Sequence, residues 1–180
     1  MKLKLLTAFL LISFVVNAQK ENKKKLYYSV EFRYLKGISS SSNTSLLYMD
    51  KHYGKNLRLS IGYNFNNNIS SGIGIGADRY ESPGINTFPI YGELKAFLKN
   101  KKKTPYSYFD LGYSVKFSEA QENGLLFDAG LGYKFNKFFI ELGYNYKNIP
   151  NWFEFNNNSG EKEWSYINMH SISFAAGLIF

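Results

Sequence analysis

Apolar and polar positions alternate with period two along most of the chain, the repeat of a strand that presents different faces to the two sides of a sheet. From Leu26, one face takes Leu26, Tyr28, Val30, Phe32 and Tyr34, and the other Tyr27, Ser29, Glu31 and Arg33. The same pattern predicts strands over Lys55–Phe65, Ile69–Tyr80, Ile85–Leu98, Pro105–Phe117, Leu125–Phe135, Phe138–Tyr146 and Tyr166–Phe180. In the last of these, Ile172, Phe174, Ala176, Leu178 and Phe180 oppose Ser171, Ser173, Ala175, Gly177 and Ile179, with no helix cap ahead of the run. Hardly any segment carries the 3.6-residue repeat of an amphipathic helix.

Between these strands lie connections of two kinds. Asn66–Asn68, Lys99–Thr104 and Asn136–Lys137 read as tight turns. Gly37–Tyr53, Glu81–Gly84, Ser118–Gly124 and Lys147–Ser165 alternate with them and are mostly longer. An antiparallel meander joined in this order gathers the tight turns and both ends of the domain at one end, and the long loops at the other. With eight strands and a last strand free to pair with the first, the prediction is an all-β fold, an eight-stranded antiparallel up-and-down β-barrel.

Periodicity alone does not say which face points inward. A soluble barrel turns its apolar face to an enclosed ligand, whereas a transmembrane barrel turns it to lipid. Three features favour lipid. The strands have about the 9–11 residues of a tilted bilayer span, or slightly more. Aromatic residues gather toward strand ends, as in Tyr28 and Tyr34, Tyr63 and Phe65, Tyr133 and Phe135, or Tyr144 and Tyr146, where an interfacial belt would place them. The polar face carries Glu31, Asp78, Glu93, Asp110, Asp128 and Glu141 against Arg33, Arg58, Lys95, Lys116 and Lys134, the near balance that an enclosed network requires. Glycines at 62, 72, 74, 76, 112, 130, 132, 143 and 177 share that face and leave room in an interior barely wide enough for side chains. These charges are expected to brace a plugged interior or, alternatively, to line a narrow conducting path.

The N-terminus supplies the compartment. Lys2 and Lys4 precede a mostly apolar run from Leu5 to Val16, and Val16-Asn17-Ala18 offers a cleavage site before Gln19. Residues 1–18 read as a signal peptide, 19–25 as a polar leader and 26–180 as the barrel domain. Loss of Lys2 and Lys4 takes the net charge from +8 to +6. Much of that charge sits in two lysine tracts, at 20–25 and 99–103. Nucleic acid is excluded as their partner in an exported chain, and solvated turns beside anionic lipid headgroups account for them. The absence of cysteine excludes disulfides, thiol chemistry and a lipidated cysteine anchor.

The terminal AAGLIF at Ala175–Phe180 and PYSYFDLGYSVKF at Pro105–Phe117 resemble strands of the small outer-membrane β-barrel proteins of Gram-negative bacteria, of the outer-membrane protein A barrel and outer-membrane protein X type. The Asn-rich turns and the Lys-, Tyr- and Phe-heavy strands look like the Bacteroidota branch. The resemblance covers nearly the whole chain after the leader. It implies residence in the bacterial outer membrane, contact with lipid and lipopolysaccharide, and a barrel assembly machinery that reads Phe180. The family includes adhesins, structural anchors, small channels and lipid-modifying enzymes, so it implies no single role.

Candidate chemistry is sparse, and no cofactor or metal is expected. His52, beside Asp50, reads as a solvated loop histidine. His170 loosely resembles the histidine of outer-membrane lipid A deacylases, but Ile172 stands where that family has serine and no acid follows. Period two also sets His170 opposite Ser171 and Ser173. GIGIGA at Gly72–Ala77 alternates within a strand, whereas a nucleotide-binding loop opens a helix. Tyr48, Tyr53, Trp152, Phe153 and Trp164 are large side chains in or beside the two long loops. They would anchor an unknown extracellular ligand or, for Trp152 and Trp164, extend the last two strands and sit in the aromatic belt. The reading is a non-enzymatic outer-membrane barrel with a structural or surface-binding role. The alternatives are a small porin and, behind it, a lipid A-modifying hydrolase.

Overall fold

A computed structural model describes residues 26–42, 52–81, 84–99, 102–116, 121–156 and 162–180, with side chains at 121, 151–156 and 162–165 outside that description. Nine strands run in chain order: β1 Leu26–Ser42, β2 Tyr53–Asn64, β3 Ile69–Tyr80, β4 Ile85–Phe97, β5 Lys103–Val115, β6 Gln121–Glu122, β7 Gly124–Phe135, β8 Phe138–Asn156 and β9 Lys162–Ile179. Eight of them make the barrel. Each pairs antiparallel with the next, and β9 returns to β1, so the sheet closes without an edge. The short β6 lies outside this cycle and pairs parallel with Asn86 and Thr87 at the start of β4.

Closure is made by one long antiparallel seam. Ser29 to Ser42 of β1 run against Ile179 to Ile167 of β9, and the backbones of Tyr28 and Phe180 exchange hydrogen bonds at 2.9 and 3.3 Å. The rim that holds Leu26, Phe180 and the turns at 65–68, 98–102 and 136–137 is called the near rim, and the opposite one the far rim. Asn136 adopts φ 63°, the left-handed conformation that a two-residue hairpin between β7 and β8 demands.

Three strands run past their predicted ends at the far rim. β1 continues through Gly37 to Ser42, β8 reaches Asn156, and β9 begins at Lys162, all within stretches whose sequence reads as loop. The alternation fails there for local reasons. A register shift falls between Gly37 and Ser39, after which serines pair with Met169 and His170. A second shift falls between Ile149 and Phe153, around Pro150, which has no N–H to give to the ladder. Residues 43–51, with Tyr48, and the signal peptide and leader expected at 1–18 and 19–25 lie outside the described residues.

The outer wall is apolar around the whole circumference. Phe32, Leu57, Leu59, Ile73, Ile90, Leu94, Leu111, Leu142, Phe174 and Leu178 are all exposed there, on strands β1 to β5, β8 and β9. Leu125 and Leu131 extend the band across β7. Rings border it at both ends. Tyr63 packs on Phe65 and Tyr133 on Phe135 at the near rim, while Tyr34 stacks on Tyr53 and Tyr146 packs on His170 at the far rim.

Candidate functional site: an ion-paired barrel interior

The inward face of the same alternation builds a polar interior. Arg33 and Glu31 come from β1, Arg58 from β2, Asp78 from β3, Glu93 and Lys95 from β4, Asp110 from β5, Asp128 from β7, and Glu141 and Lys147 from β8. All ten are buried. Arg33 is the hub. Its Nε meets Glu31 Oε1 at 2.7 Å, its Nη2 meets Glu141 Oε2 at 2.7 Å, and its Nη1 pairs with Asp128. Arg58 Nη1 lies 3.0 Å from Asp110 Oδ2, and its Nη2 lies 3.5 Å from Asp128 Oδ2. Lys95 pairs with Glu93 at 3.2 Å, and Lys147 with Asp78 at 3.5 Å.

Tyrosines and small polar groups take further acceptor positions. Tyr27 and Ser60 both donate to Glu93 Oε1, at 2.6 and 2.8 Å. Tyr106 donates to Glu141 Oε1 at 2.8 Å, Tyr108 to Asp128 Oδ1 at 2.9 Å, and Asn145 Nδ2 to Asp128 Oδ2 at 2.9 Å. The guanidinium of Arg33 also lies 5.1 Å from the Tyr108 ring centroid, and that of Arg58 5.1 Å from Tyr91. Glycines make this packing possible. A Cβ at Gly62 would overlap Tyr27, one at Gly74 would overlap Tyr91, and one at Gly132 would overlap Tyr106.

Layers of larger side chains lie on both sides of the charges. Toward the near rim, Tyr106, Tyr108 and Phe139 pack together with Phe97 and Ile179. Toward the far rim, Leu35, Tyr80, Ile85, Ile149, Ile167 and Met169 form an apolar layer, each at most 3% exposed.

The predicted charge set is brought together except at its two ends. Glu31, Arg33, Arg58, Asp78, Glu93, Lys95, Asp110, Asp128 and Glu141 join the enclosed network. Lys116 lies at the far rim, exposed and 3.7 Å from Glu122, because β5 ends at Val115 and it falls beyond the sheet. Lys134 is half-buried at the near rim, 5.0 Å above the Phe97 ring, rather than among the carboxylates. Lys147 is the network member that the sequence reading places in a loop. Its signal lies in parity, since Phe139, Glu141, Gly143, Asn145 and Lys147 fall on one face once β8 is extended.

Three other expectations change. His52 is 1% exposed instead of solvated, with Nε2 2.9 Å from Ser171 Oγ. Gly37 provides its space, since a Cβ there would overlap the imidazole ring. With Ser171 fully buried as well, this serine–imidazole pair has no access for a substrate. His170 sits on the other side of the sheet, beside Tyr144 and Tyr146 on the outer wall. Tyr53 opens β2 on the outer wall at 6.4 Å from Tyr34, so it belongs to the ring belt rather than to a loop. Trp152, Phe153 and Trp164 lie on the far-rim extensions of β8 and β9, and their side chains are outside the description. Among the described residues, no group of three or more His, Cys, Asp or Glu side chains is placed to hold a metal.

Fold and interior together define the class: a closed eight-stranded up-and-down β-barrel with an apolar outer wall and an ion-paired interior. Several solved structures are similar to it, among them three bacterial β-barrels. The outer membrane protein OprG from Pseudomonas aeruginosa matches at 13% identity and a TM-score of 0.48, over 89% of this chain and 98% of that one. Neisserial surface protein A (NspA) matches at 15% and 0.45, over 86% and 98%. The N-terminal beta-barrel domain of Pseudomonas aeruginosa OprF matches at 15% and 0.40, over 84% and 97%. No family model matches the chain, and no curated protein matches it. Identities this low tie the chain to none of these proteins in function.

Proposed function

We propose that the chain is a non-enzymatic bacterial outer-membrane β-barrel with a packed, non-conducting interior and a structural or surface-binding role at its far rim. The observation that carries this reading is the inversion of the usual arrangement. Large apolar side chains are exposed on every barrel strand, while Arg33 and Asp128 are completely buried. In water, an apolar band encircling the molecule would drive association, because soluble proteins rarely expose patches beyond a few hundred Å². In lipid it is the required surface.

On this reading residues 1–18 direct export and are removed, and 19–25 lead into the near rim on the periplasmic side. The loops at the far rim face outward and are where an extracellular ligand would bind. Lipid and lipopolysaccharide surround the wall. Phe180, hydrogen-bonded to Tyr28 across the closing seam, serves as the signal for the assembly machinery.

Refolding tests it. Protein refolded from urea into detergent should migrate on gels at a different apparent mass before and after boiling. Reconstituted into planar bilayers, it should give no single-channel steps. Migration unaffected by heat would remove the membrane assignment, and discrete steps altered by Arg58→Gln would replace the packed interior with a channel.

A further inference from the structure

The near rim gathers five lysines on two neighbouring turns. Lys99 and Lys102 stand in the turn between β4 and β5, Lys103 opens β5, and Lys134 and Lys137 flank the hairpin between β7 and β8. The two turns form one surface, because the Asn136 N–H donates to the Lys102 carbonyl at 2.5 Å. Among the residues whose side chains are described, the carboxylates that are not buried are Glu81 and Glu122. Both lie at the far rim, paired with Lys55 at 2.6 Å and Lys116 at 3.7 Å. The acids closest to the near rim, Glu93 and Glu141, are buried and held by Lys95, Arg33 and the tyrosines. Elsewhere on that rim the turn at Asn66–Asn68 is uncharged.

Rings lie directly beside these lysines. Lys103 is the cross-strand partner of Phe135, whose ring is 6.4 Å from that of Phe138. The Lys137 ammonium lies 5.8 Å from the Phe180 ring centroid. An aromatic edge topped by lysines matches the boundary between acyl chains and headgroups, with the rings level with the interface and the ammoniums in the phosphate layer. Among the described residues, the sector formed by the two turns thus offers both halves of a lipid's chemistry.

We propose that this sector, centred on Lys102, Lys103 and Lys137, binds the phosphate of an anionic phospholipid in the adjoining leaflet. Lysine suits a phosphate as a point charge and needs no fixed fork geometry, so the site selects for net negative charge and not for headgroup shape. A free phosphate ion would meet the ammoniums but gain nothing from Phe135, Phe138 and Phe180. The inference rests on the transmembrane reading above.

Native mass spectrometry of the detergent-refolded protein tests it, with equal amounts of phosphatidylglycerol and phosphatidylcholine added. Retention of phosphatidylglycerol should exceed that of phosphatidylcholine by about tenfold, on the scale of cumulative lysine–lipid attraction. The triple variant K102Q/K103Q/K137Q should bring the ratio close to one, K102R/K103R/K137R should keep it, and K36Q/K55Q/R79Q at the far rim should leave it unchanged. Potassium phosphate and potassium chloride at equal ionic strength should lower retention equally. Equal retention of the two lipids by the unaltered protein would overturn the site, as would a ratio unchanged in the glutamine variant or lost equally in the far-rim variant. Selective displacement by phosphate would mark a free-anion site instead. Heat-dependent gel migration, checked for every sample, separates the failures: a chain that never folds in detergent defeats both readings, whereas one that folds without lipid preference defeats only this one.

Discussion

Arg33 crosses the interior from β1 and holds carboxylates from other strands, Asp128 of β7 and Glu141 of β8, besides Glu31 of its own. A buried pair of this kind is worth little against an apolar replacement of the whole cluster, but removing one partner alone leaves charges that cannot be solvated. Arg33→Met should therefore cost about 3–5 kcal/mol, read as a lowered urea midpoint for unfolding from detergent. The triple change R33M/E31Q/D128N should recover part of that loss, because it removes the stranded carboxylates together with their partner. A single variant within about 1 kcal/mol of the unaltered protein would mean that water reaches the cluster. At this scale the sequence is legible through parity. Glu31, Arg33 and Arg58 are inward because Phe32, Leu57 and Leu59 are outward. What parity cannot supply is which acid meets which base, since Arg33 and Glu141 lie far apart in the chain and meet only through the closure of the barrel.

The elements extend furthest where their pattern is weakest. β1, β9 and β8 rise past the other strands at the far rim, held by pairs such as Ser40 with Met169 and Asn148 with Asn168. Serines, a proline and two register shifts break the alternation there, so these segments read as loop although the backbone remains paired. His52 marks the same junction. It precedes β2, above the level at which Lys55 is exposed on the outer wall, and its backbone carbonyl accepts from the Gly37 N–H at 2.7 Å. Burial, with His170 nearby, holds the His52 imidazole below its ordinary value. A histidine depressed in the fold binds its proton more readily when unfolded. Its contribution is therefore present above the unfolded value of about 6.5 and is lost as pH falls through that value toward the folded one. Unfolding midpoints measured from pH 7.5 to pH 5 should fall more steeply for the unaltered protein than for His52→Gln. Parallel curves would mean that the imidazole is solvated.

For the whole molecule, closure and inversion matter together. The meander, the order of short and long connections and the seam between first and last strands follow from periodicity and turn chemistry, and the barrel forms as they dictate. The layering of the interior does not follow from them. Leu35, Ile149, Ile167 and Met169 lie on the polar face by parity and assemble as an apolar layer only because their strands extend beyond the charges. The central claim is that the wall faces lipid while the ion pairs face inward. Because the chain has no cysteine, single ones can be placed along β2 and spin-labelled, after which collision rates with oxygen and with a water-soluble nickel chelate can be compared in reconstituted vesicles. Labels replacing Leu57, Leu59 and Ile61 should collide preferentially with oxygen, and labels replacing Asn56 and Ser60 should meet little of either reagent, giving a period of two. Preferential collision with the nickel chelate at Leu57, Leu59 and Ile61 would place that wall in water and contradict the account.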